Sequence, residues 1–226
     1  MAVSTSYAAL VEEALRQVGI DRTDIHEKMR DDVLKNDFDA VVTLTLLICP
    51  KITCLTLGLH LLLNAIYLRT ILCHNISGVR TSRFEYLSSL KLETAFLNGS
   101  KVRRIKHPYL KIDAYLPFLY LPALQDIEVN LPRVRACNSF NWPMLPPPKL
   151  LSLSTLRLPE SSVQPEILHS ILLTTPNLVS LEYDCWQFRG GRFDASAFEA
   201  ALETVKNTLT YLKANIPLLV KNDGEK

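Results

Sequence analysis

Six hexapeptides of one form, L-x-x-L-x-L with apolar substitutes, recur along the chain. They are ITCLTL (Ile52, Leu55, Leu57), LSSLKL (Leu87, Leu90, Leu92), LQDIEV (Leu124, Ile127, Val129), LSTLRL (Leu153, Leu156, Leu158), LVSLEY (Leu178, Leu181, Tyr183) and, more weakly, LTYLKA (Leu209, Leu212, Ala214). The first positions 52, 87, 124, 153, 178 and 209 give steps of 35, 37, 29, 25 and 31. Three units share a lead-in, CPKI, LPAL and TPNL, with Pro50, Pro122 and Pro176 two residues before the first apolar position. Two inward side chains separated by one outward residue make a short strand with one buried face. Self-similarity at such a period is the mark of stacked supersecondary units, none of which buries its apolar face alone.

Before most of these strands lies a segment of helical periodicity, such as FDAVVTLTLLIC, PEILHSILLTT or FEAALETVKN. The spacing therefore predicts an α/β fold: a parallel sheet of about six short strands on one face, with helices and loops on the other. This reading also settles the apolar stretch 38–68, FDAVVTLTLLICPKITCLTLGLHLLLNAIYL. A spanning helix needs about 20 uninterrupted apolar residues. Here Pro50-Lys51 cuts the run, and a proline breaks a helix while a mid-membrane lysine costs about 2.5 kcal/mol or more. Helix, strand and next helix, LHLLLNAIYLRTIL, is the expected order, and no membrane partner is expected. An amphipathic segment, Ser6 to Val18, and a polar helical one, Asp24 to Lys35, precede the first unit and are expected to cap its edge. The expected organisation is a helical cap at 1–36, irregular repeats at 37–216 and a tail at 217–226.

At these residues the chain resembles the leucine-rich repeat superfamily, of the irregular, long-repeat kind. A regular repeat carries Asn or Cys three positions after the last leucine; this chain has His60, Ala95, Pro132, Ser161, Trp186 and Pro217 there. The asparagine ladder that would impose uniform curvature is thus missing. TPNLVSLEYDCW, LPALQDIEVNLP and YAALVEEAL look like fungal leucine-rich-repeat proteins, many of which carry an F-box ahead of the repeats. The resemblance implies a non-catalytic protein–protein interaction module. As an alternative, it implies the substrate-recognition part of an F-box-type ubiquitin-ligase adaptor lacking its F-box. VQPEILHSIL echoes an F-box opening, yet a repeat strand follows within a dozen residues, and Pro165 with Glu166 is an ordinary helix start.

In such a stack the residue between the two inward ones faces outward. That column is Thr56, Lys91, Glu128, Arg157, Glu182 and Lys213, so from Lys91 onward each charge sits beside an opposite one. It reads either as a self-compensating ladder that fixes strand order or as a partner-binding stripe. The candidate partner-binding residues on this concave face are Lys91, Asp126, Glu128, Arg157, Glu182, Asp184, Trp186, Tyr211 and Lys213, the aromatics being the better anchors. The last strand's edge is open to pairing with another chain, which makes edge-strand self-association an expectation at that end.

Lys and Arg number 25 against 23 Asp and Glu, which gives no electrostatic case for nucleic acid. The basic run KVRRIKHPYLK reads as a loop between repeats, as does RGGR at 189–192. The strip NWPMLPPPK favours polyproline II and reads as a crossing segment, with an SH3-type groove as the alternative. Cys73-His74 points to a buried thiol rather than metal, because adjacent helical residues diverge by about 100°. No nucleophile elbow, P-loop or H-E-x-x-H motif occurs, and no catalytic residue, cofactor or metal is expected; an enzyme with an unrecognised site is the remaining alternative. Five cysteines without a C-x-x-C pair, and no secretory signal at the start, lead to the expectation of a cytoplasmic or nuclear protein.

Overall fold

The computed structural model describes residues 2–18, 23–76, 84–93, 112–131, 140–185 and 193–216. All six hexapeptides form strands: β1 (Cys54–Gly58), β2 (Ser89–Glu93), β3 (Asp126–Val129), β4 (Thr155–Ser161), β5 (Ser180–Cys185) and β6 (Tyr211–Asn215). They make one open six-stranded sheet in chain order, and every neighbouring pair is parallel. Equivalent hexapeptide positions lie side by side, so Leu55, Leu90, Ile127, Leu156, Leu181 and Leu212 form one row.

The inward rows explain why the leucines recur. Leu90 and Leu92, Ile127 and Val129, Leu156 and Leu158, and Leu181 and Tyr183 are all buried. The hexapeptides' leading residues Leu87, Leu124, Leu153 and Leu178 are fully enclosed as well. Each such side chain contributes about 1.5–3 kcal/mol over its exposed state. The polar atom of Tyr183 is satisfied inside, its hydroxyl donating to the Val163 carbonyl at 2.8 Å.

Successive units are also stitched by backbone just ahead of the strands. The Thr53 carbonyl accepts from Ser88 and Ser89 N–H, and Ser88 carbonyl from Gln125 and Asp126. The same two-donor step repeats from Gln125 to Ser154 and Thr155, from Ser154 to Val179 and Ser180, and from Val179 to Thr210 and Tyr211. Ser88 and Ser154 hydroxyls donate to the same carbonyls, at 3.2 and 3.1 Å. This ladder uses any residue's main chain, which is why the units tolerate Thr, Ser, Gln and Val at one position.

Two helices open the described chain, α1 (Ala2–Val18) and α2 (Thr23–Leu34), followed by α3 (Phe38–Leu47). The first two pack on each other and on α3, burying Leu15, Val18, Met29 and Val33, while Cys54 and Thr56 of β1 stay exposed. Asp37 caps α3 by accepting from Ala40 N–H at 3.0 Å. After β1 the sequence predicts one helix, but two form, α4 (Leu59–Asn64) and α5 (Ile66–Ile76), broken at Ala65 with ψ of 59°. The reason lies 28 residues away: the Asp39 carboxylate, on α3, accepts from Tyr67 N–H at 3.0 Å and so caps α5 from another helix. Among the described residues no helix is long and apolar enough to cross a membrane.

Later connections are uneven. α6 (Pro165–Leu172) joins β4 to β5, and α7 (Ala195–Glu203), capped by Asp194, precedes β6. Pro165 in the first turn of α6 belongs to a crossover between sheet neighbours, not to a separate helical domain. Ahead of β3 the chain makes two 3-10 turns, Ile112–Ala114 and Leu116–Tyr120. The proline strip lies between β3 and β4. It is held by the Tyr120 hydroxyl donating to the Met144 carbonyl at 2.8 Å and by Trp142 meeting Tyr120 and Phe140 edge-on.

Candidate interaction face

Strand alternation sends one residue of each pair away from the core, and the parallel register lines these up in rows. One row is Cys54, Ser89, Asp126, Thr155, Ser180 and Tyr211; the next is Thr56, Lys91, Glu128, Arg157, Glu182 and Lys213. Adjacent members are about 4.8 Å apart along the sheet, well inside the range of side-chain pairing.

The charges engage one another in this register. Lys91 Nζ lies 3.1 Å from Glu128 Oε1 and 3.2 Å from Glu93 Oε1 on its own strand. Arg157 reaches diagonally, Nη1 donating to both Asp126 oxygens at 2.7 and 2.9 Å, while its Nε stands 3.6 Å from Glu182. Glu182 in turn meets Lys213 Nζ at 3.2 Å. The Asp126 hydrogen bond holds the Arg157 guanidinium above its ordinary pKa, with the fields of Asp126, Glu182 and Glu128 adding to it. Lys91 is raised by its bond to Glu128 and then to Glu93, and Lys213 by Glu182.

The structure therefore brings Lys91, Asp126, Glu128, Arg157, Glu182 and Lys213 onto one face in two paired groups, Lys91 with Glu128, and Arg157 with Asp126 and with the Glu182 that Lys213 shares. Asp184 sits beside Asn215 in register, at the far end of β5, and its Oδ1 is buried with no hydrogen-bond partner among the described residues. Tyr211 is exposed at the start of β6. Trp186 lies outside the described residues, as do the basic run 101–111 and the RGGR turn.

Two details escaped the sequence reading. The row order predicts that Arg157 is shared between Glu128 and Glu182, whereas its closest partner is Asp126 in the preceding row. The second is Ser161, which stands where a regular repeat would carry asparagine. It is fully buried, its Oγ accepts from Leu131 N–H at 3.0 Å, and it faces the Val129 carbonyl at 3.4 Å. A left-handed Glu160, φ 46°, and a register shift between Leu158 and Ser161 turn it inward. Ser161 thus ties the end of β4 to the backbone at the end of β3; a polar residue at a repeat position was the available signal.

Among the described residues no three His, Cys, Asp or Glu side chains converge on a metal position. Cys73 is partly buried and burial raises its thiol pKa, away from a reactive thiolate; Cys49 and Cys54 are exposed. The groove between α7 and β6, of about 340 Å³, carries Glu199, Glu203 and Lys206, and Glu203 holds the Lys206 ammonium at 2.6 Å, raising its pKa.

Compared with protein-family models, curated proteins and solved structures, the chain matches none of them.

Proposed function

We propose that the chain is an irregular leucine-rich-repeat scaffold whose outward sheet face binds another protein. One observation carries this reading: six parallel strands in chain order keep the L-x-x-L-x-L positions in common register, as a stacked repeat requires. The resulting face is an array of charged and polar side chains held by neighbours, with Tyr211 as an exposed aromatic at one margin. Such an array orients a partner through charge complementarity at its rim, and an aromatic supplies desolvated contact area. Within this reading Lys91, Asp126, Glu128, Arg157, Glu182 and Lys213 act chiefly as an internal ladder, and partners meet its exposed margins, the half-exposed Lys91 and Tyr211 among them.

Affinity capture with the whole chain, run beside Lys91→Ala and Tyr211→Ala, tests the proposal. Proteins retained by the parent and lost from either variant support binding on this face. An identical retained set for all three removes the face as the docking surface.

A further inference from the structure

Among the described residues the last strand of the sheet is β6, and neither its faces nor its outer edge is covered. Leu212 shares its row with Leu90, Ile127, Leu156 and Leu181, each buried to 1% or less, yet Leu212 is 45% exposed. Every residue of β6 is exposed. Beside Leu212 lies the groove of about 340 Å³, floored by Leu202 and Leu209 and rimmed by Glu203 and Lys206. Among the described residues β6 pairs with β5 alone, so its outer N–H and C=O groups form a template for one more strand.

The charge row specifies that strand. Reading Lys91, Glu128, Arg157, Glu182, Lys213, the sign alternates at every step, so each interior charge is flanked on both sides by its opposite. Among the described residues Lys213 is flanked in this row only by Glu182, and its side chain is 62% exposed against 31% for Glu182. The next position in the row is thus one that an anion completes. We infer that the β6 edge is a docking site for an extended segment of another protein with the pattern apolar–acidic–apolar. Its carboxylate would lie beside Lys213, and its apolar side chains would continue the rows of Leu212 and Ala214 over the groove. Main-chain pairing supplies the binding and the alternate side chains supply the selection. A second copy is the poorer occupant: an antiparallel β6–β6 pairing centred on Lys213 sets two lysines opposite each other. The inference concerns the end of the sheet and stands independently of what binds its open face.

The test is fluorescence anisotropy of the full chain with labelled seven-residue peptides centred on Val-Glu-Val or Val-Lys-Val. A third peptide repeats the acidic one with its pairing amide nitrogens methylated. The acidic peptide should bind about five- to tenfold more tightly than the basic one, the size of an exposed charge pair replaced by a like-charge clash. Lys213→Glu, an exposed change that leaves the far-ultraviolet circular dichroism unaltered, should invert that preference, and methylation should abolish binding. Equal binding of acidic and basic peptides, or a preference unaffected by Lys213→Glu, overturns the proposal. So does a sedimenting dimer that excludes the acidic peptide, which would give the edge to a second copy.

Discussion

Replacing Arg157 by Met keeps most of the apolar stem and deletes the guanidinium at the centre of the charge row. Arg157 touches Asp126 at 2.7 Å and Glu182 at 3.6 Å, with side chains 37%, 35% and 31% exposed. These are partly solvated pairs, so each contributes about 0.2–1 kcal/mol rather than a buried-pair figure. The twofold grip on Asp126 belongs at the upper end of that range, the Glu182 contact lower. Removing the cation also removes its attraction for Glu128 one strand spacing away, about 4.8 Å, where the unscreened energy in water is at most about 0.9 kcal/mol. The expected loss is about 1.5–2 kcal/mol at low ionic strength. It should fall below about 1 kcal/mol in 1 M salt, where the screening length is about 3 Å. Urea titrations of parent and Arg157→Met at two salt concentrations measure this, with Arg157→Lys as the charge-retaining control. A loss independent of salt would show that Arg157 acts through its stem and would refute the ladder. A gain in stability would mean that desolvation outweighs the pairing.

Ser161→Ala should cost about 1–3 kcal/mol in urea unfolding, because it strands the buried Leu131 N–H; a cost below 0.5 kcal/mol, on the order of an exposed change, would contradict that role. Leu181→Ala should cost about 2–5 kcal/mol and Leu212→Ala under about 1 kcal/mol, since the first is enclosed and the second is not; equal costs would mean that β6 is covered in solution. Burial raises the Asp39 pKa above its ordinary value near 3.8, the bond from Tyr67 N–H opposing that shift without cancelling it. A raised native value means that the folded state holds the proton more tightly, so Asp39 contributes most at acid pH and loses that contribution as pH climbs through the raised value. The stability of the parent relative to Asp39→Asn should therefore fall as the pH rises above about 4, the ordinary aspartate range. A difference that grows with pH would show that the cap at Tyr67 dominates.

What the sequence made legible was whatever depends on local period. Alternation of Leu90, Lys91 and Leu92, and its five counterparts, specifies which side chains face inward, and repetition of the motif specifies register. The features that escaped depend on contacts between distant residues. Nothing near Ala65 announces a helix break, because the capping carboxylate is on Asp39. The diagonal from Arg157 to Asp126 is a choice of rotamer between two acidic neighbours, which row order alone does not decide. The inward turn of Ser161 needs a left-handed Glu160, a conformation uncommon outside glycine.

Chain-order stacking of the six strands is tested most directly by distances between spin labels on the outward row. In a chain whose five cysteines are replaced, label pairs at 91 and 157, 91 and 213, and 56 and 213 span two, four and five strand steps. At about 4.8 Å per step, backbone separations of about 10, 19 and 24 Å follow. Measured distances that rise in this order, each offset by a similar label length, are the predicted result. A 56–213 distance no longer than the 91–157 distance would contradict the stacking and, with it, the interaction face built upon it.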